Sequence, residues 1–343
     1  MTNRVKWIVL AAISVIAIGA TVLVGLFAWQ QYAQRQNAPT AVETANPGQQ
    51  VSGDRIVFRN TAAGAGYGLV ASVPLAEPDG PRTISDIACD RVDAVDEEFV
   101  CLRSERGIVP TYTATVYSDD GAVVSEWPLT GIPSRTRFSD DGTLVATTAF
   151  VTGHSYATIG FSTETTVRTA DTGESFGNLE EFTLLKDGAE IAPVDRNYWG
   201  VTFIDDDTFY ATAGLTTVGT TYLVRGDLAA RTLTVVADDV ECPSLSPDGT
   251  RIAFKRVTAG AGATVHWTPA VLDLATGEVR VLDIERRSID DQIAWLDDET
   301  LLYGMPREDA VGDTDVWALG ADGQSEAEIF IEHAWSPSVV AAG

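Results

Sequence analysis

Positive charge is scarce in this chain: 23 Lys and Arg stand against 49 Asp and Glu, for a formal net charge of −26. Phosphate backbones and anionic headgroups are bound by clustered Lys and Arg, so nucleic acid is excluded as a partner. Histidine and cysteine are sparse as well, three of each. With no H-x-x-x-H or C-x-x-C spacing, structural zinc has no ligand set, and no cofactor is expected. Beyond the N-terminal segment no helical period competes, so the strand-to-helix turns of α/β catalytic folds are not expected. Apolar residues are not lacking. At 45% hydrophobic and 21% charged, the 343-residue chain lies far from the composition of disorder and buries a large core.

The run from Trp7 to Trp29 (WIVLAAISVIAIGATVLVGLFAW) is uncharged and apolar, about 34 Å long as a helix at roughly 1.5 Å per residue, which spans a bilayer. A cleavable signal has a shorter apolar region and an A-x-A-like site; the run is read as a retained signal anchor. Arg4 and Lys6 precede it and only Arg35 follows closely, which places residues 1–6 in the cytoplasm and the bulk of the chain outside. Trp7, Trp29 and Tyr32 stand at its ends, where amphipathic rings favour the headgroup zone. Residues 30–53 (QQYAQRQNAPTAVETANPGQQVSG) have no periodicity and read as a flexible linker.

Four later segments share one frame: Phe138–Phe150 (FSDDGTLVATTAF), Phe203–Ala213 (FIDDDTFYATA), Leu245–Arg256 (LSPDGTRIAFKR) and Trp295–Met305 (WLDDETLLYGM). In each, a large apolar residue leads into a polar turn, then a Thr (Thr143, Thr208, Thr250, Thr300), then a strand pattern. Asp, Gly and Pro at such turns supply left-handed backbone and side-chain hydrogen bonds that reverse the chain. A fifth, weaker copy runs from Val92 to Leu102, and each hairpin is followed by a second strand-turn-strand unit, as in Val271–Ile284. Four strands per repeat, at roughly 40 to 50 residues, is the pattern of propeller blades. The longer interval from Thr143 to Thr208 points to an insertion in the third blade. Residues 54–75 supply only later strands and residues 333–340 only an inner strand, so the two ends complete one blade and remove an open edge. The expectation is an all-β, six-bladed β-propeller over 54–343, closed by N- and C-terminal strands and preceded by one transmembrane helix.

SPDGTRIAFKR at Ser246–Arg256 resembles the WD40-like (PD40) repeat of the TolB family, periplasmic propellers of the bacterial Tol–Pal system. The run GIPSRTRFSDDGTLVATTAFVTGHSYATIGFST at Gly131–Thr163 and the run ECPSLSPDGTRIAFKR are similar to bacterial envelope proteins described as TolB-like. The resemblance implies a six-bladed propeller that engages protein partners. An N-terminal α/β domain is missing and an anchor is present, so colicin import and Pal binding are not carried over.

An extracytoplasmic address permits disulfides. Cys89 precedes the turn at Ala94–Glu97 and Cys101 follows it, so the two are expected to face each other on adjacent strands and to bond, the alternative being two separate buried thiols. Cys242 is left over, as a buried free thiol. Gly153-His154-Ser155-Tyr156-Ala157 has the form of a nucleophile elbow without its fold and reads as an interstrand loop. Asp205-Asp206-Asp207 and Asp297-Asp298 suit calcium by donor type, but their place in a repeated turn favours a structural role.

Segments entering the inner strands and loops joining second to third strands open on one face of a propeller, around the channel. Arg135, His154, Tyr156, Trp199, His266, Trp267 and Asp291 are the candidate rim, a mixture suited to peptide or glycan contact. The expected function is a non-catalytic protein- or glycan-binding scaffold in the cell envelope, on the outer side of the bacterial plasma membrane. The alternative is an envelope enzyme on the same fold, a glycan lyase or hydrolase or a quinone-dependent oxidase.

Overall fold

The computed structural model describes residues 3–46, 51–151, 162–215 and 219–341. The first element is a helix, Asn3–Gln36. Within it Arg4–Gln30 is long and apolar enough to cross a membrane, with a mean hydropathy of 2.6 and none of its apolar window packed inside protein. In the segment expected as linker, the helix continues to Gln36, and residues 43–45 lie against the propeller. There the Arg82 N–H donates to the Glu43 carbonyl at 3.0 Å and the Ala45 N–H to the Arg82 carbonyl at 2.9 Å.

From Arg55 on, the described strands form six sheets. The first combines Ala334–Val340, innermost, with Arg55–Asn60, Leu69–Pro74 and Thr83–Ala88. The inner strands of the other five are Arg91–Val95, Ile132–Phe138, Arg196–Phe203, Glu241–Leu245 and the short Ala294–Trp295. Inner and second strands such as Arg196–Phe203 and Leu144–Val151 are buried almost end to end, whereas Ser162–Thr169 and Val123–Pro128, farther out, alternate. The gradient follows from packing, since an inner strand has a neighbouring blade against both faces. Among the described residues the core accordingly falls into six clusters, one per blade interface. Leu223, Phe254 and Leu272 pack between blades four and five, Ala253 and Tyr303 between five and six, and Ile56, Phe58 and Leu302 between six and one. Each fully buried side chain of this size contributes about 1.5–3 kcal/mol.

The shared hairpin frame has a local cause. In blade three the Ser139 hydroxyl donates to Asp141 at 2.6 Å, and Asp141 also accepts from the Thr143 N–H at 3.1 Å and hydroxyl at 2.9 Å. Blade five repeats this with Ser246, Asp248 and Thr250 at 2.6, 3.0 and 2.8 Å. Gly142 (φ 73°) and Gly249 (φ 69°) supply the left-handed residue between. Asp205 does the same for Thr208, and Asp298 accepts from the Asp248 N–H at 2.9 Å, tying neighbouring turns together. These carboxylates act as turn acceptors.

Ring closure is an antiparallel pairing from Arg55↔Val340 to Asn60↔Ala334. Arg82 clamps it: the buried guanidinium donates to Asn60 Oδ1 at 2.9 Å, the Glu332 carbonyl at 2.9 Å and the His333 carbonyl at 3.2 Å. Desolvation pushes its pKa down to about 10, with Glu332 and Asp313 opposing, so it stays charged at neutral pH. The insertion expected in blade three belongs instead to blade four. Its strands Thr183–Lys186 and Ala189–Ile191 extend that sheet to six, the first running parallel to Thr232–Asp238. It thereby covers an edge whose N–H and C=O groups would otherwise be open.

Cys89 and Cys101 are bonded, with Cα atoms 5.4 Å apart, and Cys242 is free and buried. The cysteines do not face each other across paired strands as expected. Cys101 is opposite Val92, because the tight turn at Asp96-Glu97 leaves Cys89 beyond the first strand, in the crossover from blade one. The bond therefore staples that crossover to the second strand of blade two. Replacing both cysteines by Ser should lower stability by about 3 kcal/mol, the closure entropy of a loop with separation 12. Urea titration of the full-length protein in detergent measures it; a loss under about 1 kcal/mol would mean the crossover is held without the staple.

Candidate binding site at the channel mouth

The six inner strands begin at one end of the channel, here the upper mouth, and end at the lower. Charged residues near their beginnings meet across the ring. Arg91 of blade two pairs with Asp291 of blade six at 2.8 Å, and Asp291 also accepts from the Gly304 N–H at 3.0 Å. Lys255 of blade five reaches Asp290 at 2.7 Å, and Arg135 of blade three approaches the same carboxylate at 3.5 Å. Gln292 donates to the Val201 carbonyl at 3.2 Å and Arg137 to the Ile293 carbonyl at 3.2 Å. These contacts close the waist of the channel around residues 290–293, which stand where the sixth inner strand would otherwise begin.

The electrostatics favour ions here. Desolvation would raise the Asp290 carboxyl, but Lys255, then Arg135 and Arg91, hold it below the ordinary carboxylate range. Burial and the neighbouring Arg135 charge push Arg91 down to about 10, so it remains charged at neutral pH. Aromatic rings back two of the cations: Lys255 Nζ lies 4.5 Å from the Trp267 ring centre and the Arg91 guanidinium 4.7 Å from that of Trp335. The Trp267 indole donates to Glu241 at 3.2 Å. Burial raises the Glu241 carboxyl, against the opposing influence of Lys255.

Of the residues nominated from sequence, Arg135, Asp291 and Trp267 belong to this cluster. Asp291 is a buried strut rather than an open rim group, with its side chain 2% exposed. Trp199 is buried, its ring filling the space a Cβ on Gly214 would need. His266, half-buried, starts the strand His266–Asp273. His154 and Tyr156 lie outside the described residues, as does Ser155. Arg91, Glu241, Lys255, Asp290 and Trp335 also belong to the cluster and are not among the residues nominated from sequence. A signal was present: Arg91, Arg135, Trp199, Glu241 and Asp291 each stand three or four positions before the apolar residue that leads their hairpin (Val95, Phe138, Phe203, Leu245, Trp295).

No protein-family model and no curated protein sequence matches the chain. Among solved structures it is similar to TolB from Acinetobacter baumannii, with a TM-score of 0.57 and 16% identity over 84% of this chain and 67% of that one. It is also similar to a Mycobacterium tuberculosis puromycin-hydrolyzing peptidase, with a TM-score of 0.51 and 12% identity over 86% of this chain and 47% of that one. At these identities the likeness is one of fold, a six-bladed propeller of the TolB type.

Removing one partner of the Arg91–Asp291 pair leaves a desolvated charge and an orphaned Gly304 N–H. Asp291→Ala should cost about 3–5 kcal/mol, and replacing both partners by Leu and Met should restore much of it. Denaturant midpoints of the full-length variants test this; equal losses in the single and double variants would mean that the pair does not close the waist.

Proposed function

We propose that this protein is a non-catalytic binding scaffold of the bacterial cell envelope, held outside the plasma membrane by its N-terminal helix and docking a protein or glycan on the upper face of its propeller. The observation that carries the reading is the division of labour at that face. The charged groups of the waist are engaged with one another, while the surrounding loops hold apolar side chains out to solvent. Ile108 and Val109 in the loop after Glu98–Glu105, Val194 ahead of the fourth inner strand and Val311 in the loop after Thr300–Pro306 are all exposed. Apolar tips spaced around a paired polar centre suit contact with a macromolecule. Arg4 and Lys6 ahead of the apolar span, with only Arg35 close behind it, support an outward orientation of the propeller. Photoreactive residues at Ile108 and Val311, compared with a control at the exposed Val236 on an outer strand, should capture a discrete envelope component in native cells from the face alone. Equal capture at all three sites, or none, counts against the scaffold.

A second reading, an enzyme acting on glycans, rests on one feature. Glu241 is raised and Asp290 lowered beside a shared lysine, and acid–base catalysis uses carboxylates whose pKa values are pushed apart in this way. Under that reading envelope polysaccharides are cleaved by the wild-type protein, and Glu241→Gln lowers the rate by at least about a hundredfold. No cleavage, or cleavage unchanged by Glu241→Gln, removes it.

A further inference from the structure

The residue that clamps the ring seam is itself held by a second contact. Arg82 stands one residue ahead of the strand Thr83–Ala88, whose ladder with its neighbour begins at Thr83, opposite Ser72. Its main chain therefore lies beyond that ladder and takes its hydrogen bonds from residues 43–45. The Arg82 N–H donates to the Glu43 carbonyl at 3.0 Å, the Ala45 N–H donates to the Arg82 carbonyl at 2.9 Å, and Thr44 pairs with Arg82 in parallel. These three residues form a strap beside the outermost strand of blade one.

From the main chain held in this way, the Arg82 side chain runs into the seam. The residue is 4% exposed, its guanidinium lies 5.1 Å from the Phe58 ring centre, and its donors engage Asn60, Glu332 and His333. The His333 carbonyl accepts from the Thr61 N–H as well, at 2.8 Å. One residue thus joins two contacts, its backbone to the strap and its guanidinium to the closure. A buried cation that loses its acceptors is strongly destabilising, so the clamp tolerates little movement of the backbone from which it projects.

The strap is the accessible half of this arrangement. Glu43 and Thr44 are exposed and Ala45 is half-buried. Only residues 37–42 separate Glu43 from the end of the helix at Gln36. Two backbone hydrogen bonds at the margin of a sheet open locally far more often than a blade unfolds.

We infer that residues 43–45 are a latch on the ring. Docked, they hold Arg82 in place and the seam closed; drawn off, by traction through the anchor or by capture of this exposed segment, they loosen the seam while the other blade interfaces stay intact. Linkage makes the coupling reciprocal, so loss of the clamp frees the strap. The latch is separate from the upper face and does not depend on the reading given for it.

Native-state hydrogen exchange of the full-length protein in detergent, followed by mass spectrometry, tests both directions. Ala45→Pro removes the N–H that holds the Arg82 carbonyl and should raise exchange about fivefold in the seam segments 55–61 and 334–340, with residues 144–151 of blade three unchanged. Arg82→Met should raise exchange in residues 43–45 by about the same factor. Unaltered seam exchange in Ala45→Pro, an equal rise in blade three, or a strap as protected in Arg82→Met as in the wild type would each overturn the inference. Should Arg82→Met fail to fold, Ala45→Pro decides alone.

Discussion

The pairing of Ala334–Val340 with Arg55–Asn60 is the contact on which the other five blades rely, because each blade is stable only between two neighbours. The core is divided among six interfaces, so a ring opened at one point would expose the cluster around Ile56, Phe58 and Leu302 and leave two sheet edges free. Strand hydrogen bonds alone would leave that seam no stronger than any hairpin. Arg82 adds to them by gripping Asn60 on one side and the carbonyls of Glu332 and His333 on the other. Further in, Ser338 bonds to Asp93 of the next blade. Buried charge is costly unless paired and hydrogen-bonded; Arg82 places one at the junction the chain does not connect covalently, as Arg91 and Asp291 do at the waist.

Closure also creates the channel and decides what its two ends can do. Once the ring is complete, side chains from blades two, three and five lie within ion-pair reach of residues 290 and 291. The irregular start of blade six is then fixed by Arg91, Arg135 and Lys255 instead of by a regular ladder. The upper mouth thereby becomes a floor of paired charges with loops around it, while below the waist the ends of the inner strands enclose a cavity of about 430 Å³.

What was legible in the sequence was what local chemistry determines. The Ser-Asp-Gly-Thr turns announce themselves because Asp141 and Asp248 bond within five residues, and the six-bladed count followed from their recurrence and from the incomplete ends. The disulfide partners were legible, but their geometry was not: one tight turn shifts the register and carries Cys89 out of its strand. The insertion at Thr183–Ile191 was assigned to the wrong blade because edge pairing with Thr232–Asp238 leaves no local mark. The cross-channel pairs were hidden for a related reason. Arg91 and Asp291 are 200 residues apart, and only ring closure brings them together.

The same turn chemistry explains where the excess negative charge resides. Lower-side hairpins need an acceptor for the N–H groups of a reversing backbone, and Asp is the side chain used at Asp141, Asp205 and Asp248. Repetition of that turn in successive blades makes an anionic face without any selection for anion repulsion or cation binding. Acidity at that face is therefore no evidence of a ligand by itself.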